Sequence, residues 1–165
     1  MMRAPRFWDR DVDPRSREGA PVTRLLLSPL AALYAGVTAR RIARAMPVDV
    51  GIPVICVGNL TAGGTGTSPV AAALRSHLSA HGPGCRIATL SRGYGGSLDG
   101  PLKMDAALHS ARETGDEALM LSRTGEAWIG ADRVAAGQAM QADGVDLIIM
   151  DDGHQNPGLA KTLSL

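Results

Sequence analysis

Residues 53–82, PVICVGNLTAGGTGTSPVAAALRSHLSAHG, constrain this chain more than any other stretch. An apolar run (53–58) passes through a glycine-rich turn into a segment with helical spacing (68–82). A strand that is apolar at nearly every position must be covered on both faces, which is the condition of parallel strands sandwiched between helices. The glycines let backbone N–H groups converge on an anion, and the start of the following helix adds partial positive charge. Gly63, Gly64 and Gly66 are therefore a candidate phosphate cradle. Ser68 stands where the P-loop pattern places the hydroxyl that binds Mg²⁺, but Thr67 occupies the place of the pattern's lysine.

The same alternation recurs downstream. CRIATLS (85–91), EAWIGA (126–131) and VDLIIMDDG (145–153) read as strands, and GDEALMLSRT (115–124) and DRVAAGQAMQADG (132–144) as helices. The expected fold is α/β, a parallel sheet covered by helices. With 165 residues and 45% apolar content, a substantial core is within reach. The last residues, AKTLSL, read as the opening of another strand, so the chain is expected to be the front portion of a longer protein.

Three loops of such a sheet carry chemistry. VDLIIMDDG delivers Asp151 and Asp152 to the C-terminal edge of its strand, the edge where the glycine loop opens, and there they could partner the Mg²⁺ of a nucleotide. SRGYGG (91–96) puts Arg92 on that edge, either to meet phosphate or as a surface arginine on a turn. Asp116 and Glu117, taken alone, read as acids favoured by the dipole of the helix they begin. His77 and His81 share a helix with no further ligand set nearby, and His154 is the histidine closest to the presumed site.

The ends of the chain differ in charge. Residues 1–46 hold nine arginines against four acids, whereas 47–165 hold eight basic residues against twelve acidic ones. Residues 1–22 read as an irregular arm, and from about Pro29 to Ala45 the spacing of Leu30, Leu33, Tyr34 and Val37 beside Arg40, Arg41 and Arg44 predicts a basic amphipathic helix, either at a membrane interface or packed on its own domain with solvated arginines. Its apolar run, 25–37, is too short to span a bilayer. The expected division is thus 1–46, arm and interfacial helix, and 47–165, nucleotide-binding domain. Aromatic content of 3% and a net charge of +1 argue against a nucleic-acid partner. Cys56 and Cys85 lie in apolar runs without CxxC spacing and read as reduced, buried thiols. The only lysines are Lys103 and Lys161, so no lysine is expected near the glycine loop.

Taken in order, APRFWD, LLSPLAALYA, VICVGNLTAGGTG, SRGYGG, GDEALML, ADRVAAG and DDGHQNPGLAKTLSL resemble the tetraacyldisaccharide 4'-kinase family of lipid A biosynthesis across nearly the whole chain. The resemblance implies a P-loop NTPase-like fold whose C-terminal half is absent here. It implies ATP and Mg²⁺ as cofactors, a P-loop formed by Gly63, Gly64, Thr65, Gly66, Thr67 and Ser68, and a metal site of Ser68, Asp151 and Asp152. Asp116, with Glu117 beside it, matches the acid that helps deprotonate the sugar hydroxyl. The substrate would be a lipid disaccharide 1-phosphate met at the anionic cytoplasmic face of the inner membrane, to which the protein would bind peripherally. The family carries Lys then Thr where this chain has Thr67 and Ser68, so low activity is expected. A deviant P-loop ATPase or switch is the rival reading, although such proteins carry a lysine where this chain has Ala62; a non-catalytic remnant is the third.

Overall fold

The computed structural model describes residues 20–59 and 66–165. They fall into two units, a helix ending at Arg44 and the segment Ala45–Leu165.

The first unit is α1 (Pro21–Arg44), 24 residues with Pro29 inside it. Proline at 29 removes the N–H that would bond the carbonyl of Leu25. Ser28 fills the gap, its hydroxyl donating to Leu25 O at 2.9 Å, so the helix runs through. The predicted start at Pro29 is thus eight residues late. The expectation that this segment is too short to span a bilayer is also overturned: 24 residues extend about 36 Å, and α1 is long and apolar enough to cross by length and composition. Leu30, Leu33, Val37, Arg40 and Arg44 follow in steps of three and four, so the basic residues continue the apolar stripe rather than flank it. From Leu25 to Arg44 polarity is segregated along the axis, apolar first and basic last.

The second unit contains β1 (Val54–Val57), α2 (Thr67–His81), β2 (Ile87–Ser91), β3 (Leu102–Lys103), α3 (Ala111–Thr114), α4 (Asp116–Thr124), β4 (Ala127–Ile129), α5 (Arg133–Ala142), β5 (Leu147–Asp151) and β6 (Leu163–Ser164). The sheet order is β3-β4-β2-β5-β1-β6. All pairings are parallel except that of β3, which runs antiparallel to β4. β5 slots between β1 and β2, so the strand ending in Asp151 adjoins the strand that opens into the glycine loop.

Alternation along β5 divides the core. Ile148 and Met150 pack with Cys56, Leu90 and the α5 residues Ala136 and Met140 on one face. Ile149 packs with Val57, Ala71 of α2, and Ala118 and Leu121 of α4 on the other. Each fully buried side chain of this kind contributes roughly 1.5–3 kcal/mol, which fixes the layers as α5, sheet, then α2 with α4.

A buried arginine joins the second helical layer to the sheet. Arg75 of α2 is 3% exposed. Its Nη1 donates to Thr89 Oγ1 (3.2 Å) and Glu126 O (2.7 Å), and its Nη2 to Leu121 O (3.1 Å) and Thr124 Oγ1 (2.6 Å). The carbonyls ending α4 are orphaned by helix geometry, and Arg75 supplies them with donors. The helix after the glycine loop and the helix bearing Asp116 are thereby held in one register.

Of the two cysteines, Cys56 is buried as expected but Cys85 is exposed. Cys85 precedes β2, whose buried run begins only at Ile87, so its apolar neighbours in sequence do not enclose it.

Candidate functional site

Strand register aligns the site. Val57 pairs with Asp151, Leu90 with Met150, and Ser91 with Ile129. Val57, Asp151, Ser91 and Ile129 therefore form a row across the C-terminal edge of the sheet, and the residues after them share that edge: Gly58, Asp152, Arg92 and Gly130. Gly130 N–H closes the row by donating to Ser91 O at 3.1 Å. Ligands of open α/β sheets bind along this edge, where successive loops diverge.

Asp151 is 2% exposed, and neither carboxylate oxygen has a hydrogen-bond partner among the described residues. Burial pushes its pKa above the usual aspartate value, with the hydroxyls of Ser68 and Thr67 pulling the other way and the charge of Asp152 adding to the rise. A buried carboxylate that only hydroxyls approach is costly unless a cation completes it, and this fits a hard divalent metal. Among the described residues, no group of three or more His, Cys, Asp or Glu side chains could hold a metal alone. A cation at Asp151 would therefore draw on the buried Ser68 hydroxyl, phosphate oxygens and water, the ligand mixture that suits Mg²⁺. Asp152, at φ +50°, occupies the left-handed region that aspartate tolerates better than most residues, and it turns the chain sharply after β5.

Glu117 belongs to the same field. Burial raises its pKa, and the charges of Asp151 and then Asp152 raise it further. Asp116 and Glu117 open α4 directly after Gly115, whose φ of +88° and close approach to Tyr94 O exclude a side chain: a Cβ there would lie 2.4 Å from that oxygen. The SRGYGG loop is thus pressed against the start of the helix that carries both acids. Arg92 is exposed in that loop.

Of the glycine loop, Gly66, Thr67 and Ser68 are described, while Gly63, Gly64 and Thr65 lie outside the described residues. Helix α2 starts after Gly66 without a side-chain cap. At the loop's other end, Gly58 makes room for His154: a Cβ on Gly58 would lie 2.5 Å from the ring's Cδ2. The His154 Nδ1 sits 3.9 Å from Cys56 Sγ, and Lys161 Nζ donates to His154 O at 3.1 Å. Distance in sequence conceals that Lys161 bonds the residue packed on Gly58, while residues 60–65 of the glycine loop lie outside the described residues.

Arg133 is the residue that sequence reasoning missed. It stands first in α5, behind Asp132, whose carboxylate caps the helix by accepting from Val134 N–H (2.9 Å) and Ala135 N–H (3.1 Å). Only 5% exposed, it donates from Nη1 to Gly130 O, while its buried Nε has no partner among the described residues. Burial lowers its pKa to about 10, Arg92 lowers it too, and Asp152 and Asp151 oppose both. The motif ADRVAAG carried the signal only as an N-cap; the burial follows from β4 lying beside β2.

Comparison with known proteins bears on this geometry. A family model described as tetraacyldisaccharide-1-P 4'-kinase matches residues 23–165. A tetraacyldisaccharide 4'-kinase of Hyphomonas neptunium is 54% identical over 99% of this chain and 49% of its own length. One of Caulobacter vibrioides is 50% identical over 98% of this chain and 46% of its own. The crystal structure of LpxK from Aquifex aeolicus in complex with ATP superposes with a TM-score of 0.73 at 26% identity, covering 86% of this chain and 48% of that one. The chain spans about half the length of the curated relatives it matches.

Proposed function

The chain belongs to the tetraacyldisaccharide-1-P 4'-kinase family, and from that premise we propose that it carries the nucleotide-binding part of a kinase that moves the γ-phosphoryl of ATP to the 4'-hydroxyl of a tetraacyldisaccharide 1-phosphate. The observation that carries this reading is the buried, unbonded carboxylate of Asp151, level with the strand that opens into the glycine loop. The Aquifex relative, described as in complex with ATP, supports a bound nucleotide.

Phosphoryl transfer asks a protein for positioning and charge neutralisation more than for covalent chemistry. In this reading the amides of the loop that includes Gly63, Gly64, Thr65 and Gly66, and of the α2 start, orient the phosphates. Ser68, Asp151 and Asp152 hold Mg²⁺, which when bound neutralises charge developing on the phosphate oxygens. Glu117, its proton affinity raised by the neighbouring acids, and Asp116 beside it stand at the start of α4, where a sugar hydroxyl could lose its proton to a carboxylate.

Thr67 stands where the P-loop pattern has lysine, so one preorganised cation is missing. Losing one such contact lowers the rate on the order of 10²–10³-fold. The test is transfer of labelled phosphate from ATP to the disaccharide lipid in mixed micelles with Mg²⁺. Thr67→Lys should raise the rate by a factor of that order. Folded protein that transfers nothing in either form sinks the reading of this chain as a kinase.

The membrane part of the proposal rests on α1. Its apolar length followed by Arg40 and Arg44 suits a helix whose basic end meets anionic headgroups at the cytoplasmic face of the inner membrane. Each such arginine contributes about 1 kcal/mol near an anionic surface. Arg40→Ala with Arg44→Ala should weaken sedimentation with phosphatidylglycerol vesicles by roughly 10-fold or more. Equal binding to purely zwitterionic vesicles would count against the electrostatic part.

A further inference from the structure

We propose that Arg133, with Arg92 beside it, grips the terminal phosphate of the bound nucleotide and so offsets part of the charge that Thr67 omits. The inference rests on the nucleotide reading above and assigns a residue to it. Three observations carry it.

The first is position. Gly130 N–H bonds Ser91 O, so the turn leading into α5 lies against the residue preceding Arg92, and Ser91 is level with Asp151 through the β2–β5 register. Both arginines therefore follow the row of strand ends that also leads into the glycine loop.

The second is satisfaction. Arg133 is buried, yet its Nε donates to nothing among the described residues, and Asp151, approached by the Ser68 and Thr67 hydroxyls, has no ion-pair partner there. The two groups are close enough to feel each other's charge but do not pair among the described residues. Were Arg133 present only to neutralise the acids, an ion pair with Asp151 would be the low-energy arrangement. Two buried charges of opposite sign, neither ion-paired among the described residues, leave room for a cation on one side and an anion on the other.

The third is like-charge proximity. Burial and then the charge of Arg92 raise the cost of the Arg133 charge, and a polyphosphate shared between the two guanidinium groups relieves it. Among the lysines, Lys103 is engaged with Glu126 and Asp143, and Lys161 bonds the His154 carbonyl.

The experiment titrates the 165-residue chain with fluorescent ATP and ADP analogues in Mg²⁺, alongside Thr67→Lys, Arg133→Met and the double variant. Expected is an ATP affinity that falls on the order of 10- to 100-fold in Arg133→Met, with ADP affinity little changed. In the Thr67→Lys background the loss should be smaller, because lysine then holds the same phosphate. An unchanged ATP-to-ADP ratio, an equal loss for both nucleotides, or strictly multiplicative effects of the two substitutions would each overturn the proposal. If circular dichroism shows Arg133→Met unfolded, Arg133→Lys carries the same test, since it keeps the charge and loses the planar fork: a lowered ratio supports the proposal and an unchanged one overturns it. Nucleotide binding by Thr67→Lys with no effect of Arg133 removes this inference alone. Binding by neither form removes the nucleotide reading and the inference with it.

Discussion

At the end of the sheet where the parallel strands begin, Arg86 bonds Glu126 (2.7 Å) and Asp143 (2.5 Å), and Lys103 reaches Asp143 (3.0 Å). At the end where they finish, Asp151 and Arg133 are buried with polar atoms that bond nothing among the described residues. The proton affinities diverge accordingly. Glu126 is pushed up by burial but held below the usual glutamate value by hydrogen bonds from Arg86 and Trp128, whereas Asp151 is driven up. The first end is built for stability. The second keeps charges that only a ligand could satisfy, and strain left in this way is characteristic of functional sites. The two buried arginines repeat the contrast: Arg75 makes four hydrogen bonds, and Arg133 leaves its Nε idle.

The largest stability effect should come from the satisfied arginine. Arg75→Met strips donors from Leu121 O and Glu126 O and should lower the unfolding free energy by about 3 kcal/mol in denaturant titrations. A loss near zero would show that the network is incidental.

Next comes Asp151→Asn, with the opposite sign. Native Asp151 binds its proton more tightly than the unfolded chain does, so its contribution is fullest below the ordinary aspartate pKa and declines as pH rises through the raised native value. Near neutral pH without metal, Asp151→Asn should stabilise by roughly 1–2 kcal/mol and abolish any rise in Tm on adding Mg²⁺. Destabilisation, or a Mg²⁺ shift that survives, breaks the contrast between the two ends.

The smallest effect belongs to the exposed network. Glu126→Gln should cost about 1 kcal/mol or less, and less in high salt. Its sign with pH is the reverse of Asp151: the lowered pKa makes the contribution present above the ordinary glutamate value and lost as pH falls through the native one. Thermal melts of Glu126→Gln and the parent chain should therefore converge in acid, and a constant gap would be evidence against the ion pairs.

Much of the fold is legible in the sequence, for reasons that can be named. The apolar runs behind β1, β2 and β5 and the periodic segments behind α2, α4 and α5 are local signals, and the observed bounds differ from the expected ones by one or two residues at most ends. β3, two residues paired antiparallel, has no pattern of its own and exists because β4 offers an edge. The single turn α3 announces itself only through its Ser110–Glu113 capping box, a signal too short to stand out. α1 begins earlier than its proline implied because Ser28 offsets the lost donor, a geometry visible only once the helix is formed.

The candidate site divides along the same line. Ser68 and the pair Asp151–Asp152 are readable because each sits at the junction of a local pattern with a loop, whereas Asp116 and Glu117 read locally only as acids at a helix start. That Glu117 lies in the field of the aspartates, that Arg133 is buried within reach of the charge of Arg92, and that Lys161 reaches His154 are not readable, because each depends on which strands are neighbours. By itself the sequence determines that there are strands, that they are covered on both faces, and that their loops carry acids and glycines, since hydrophobic periodicity and turn chemistry act over a few residues. The insertion of β5 between β1 and β2 was decided by contacts among residues nearly a hundred positions apart in the case of β1, and that insertion turns separate loops into one edge.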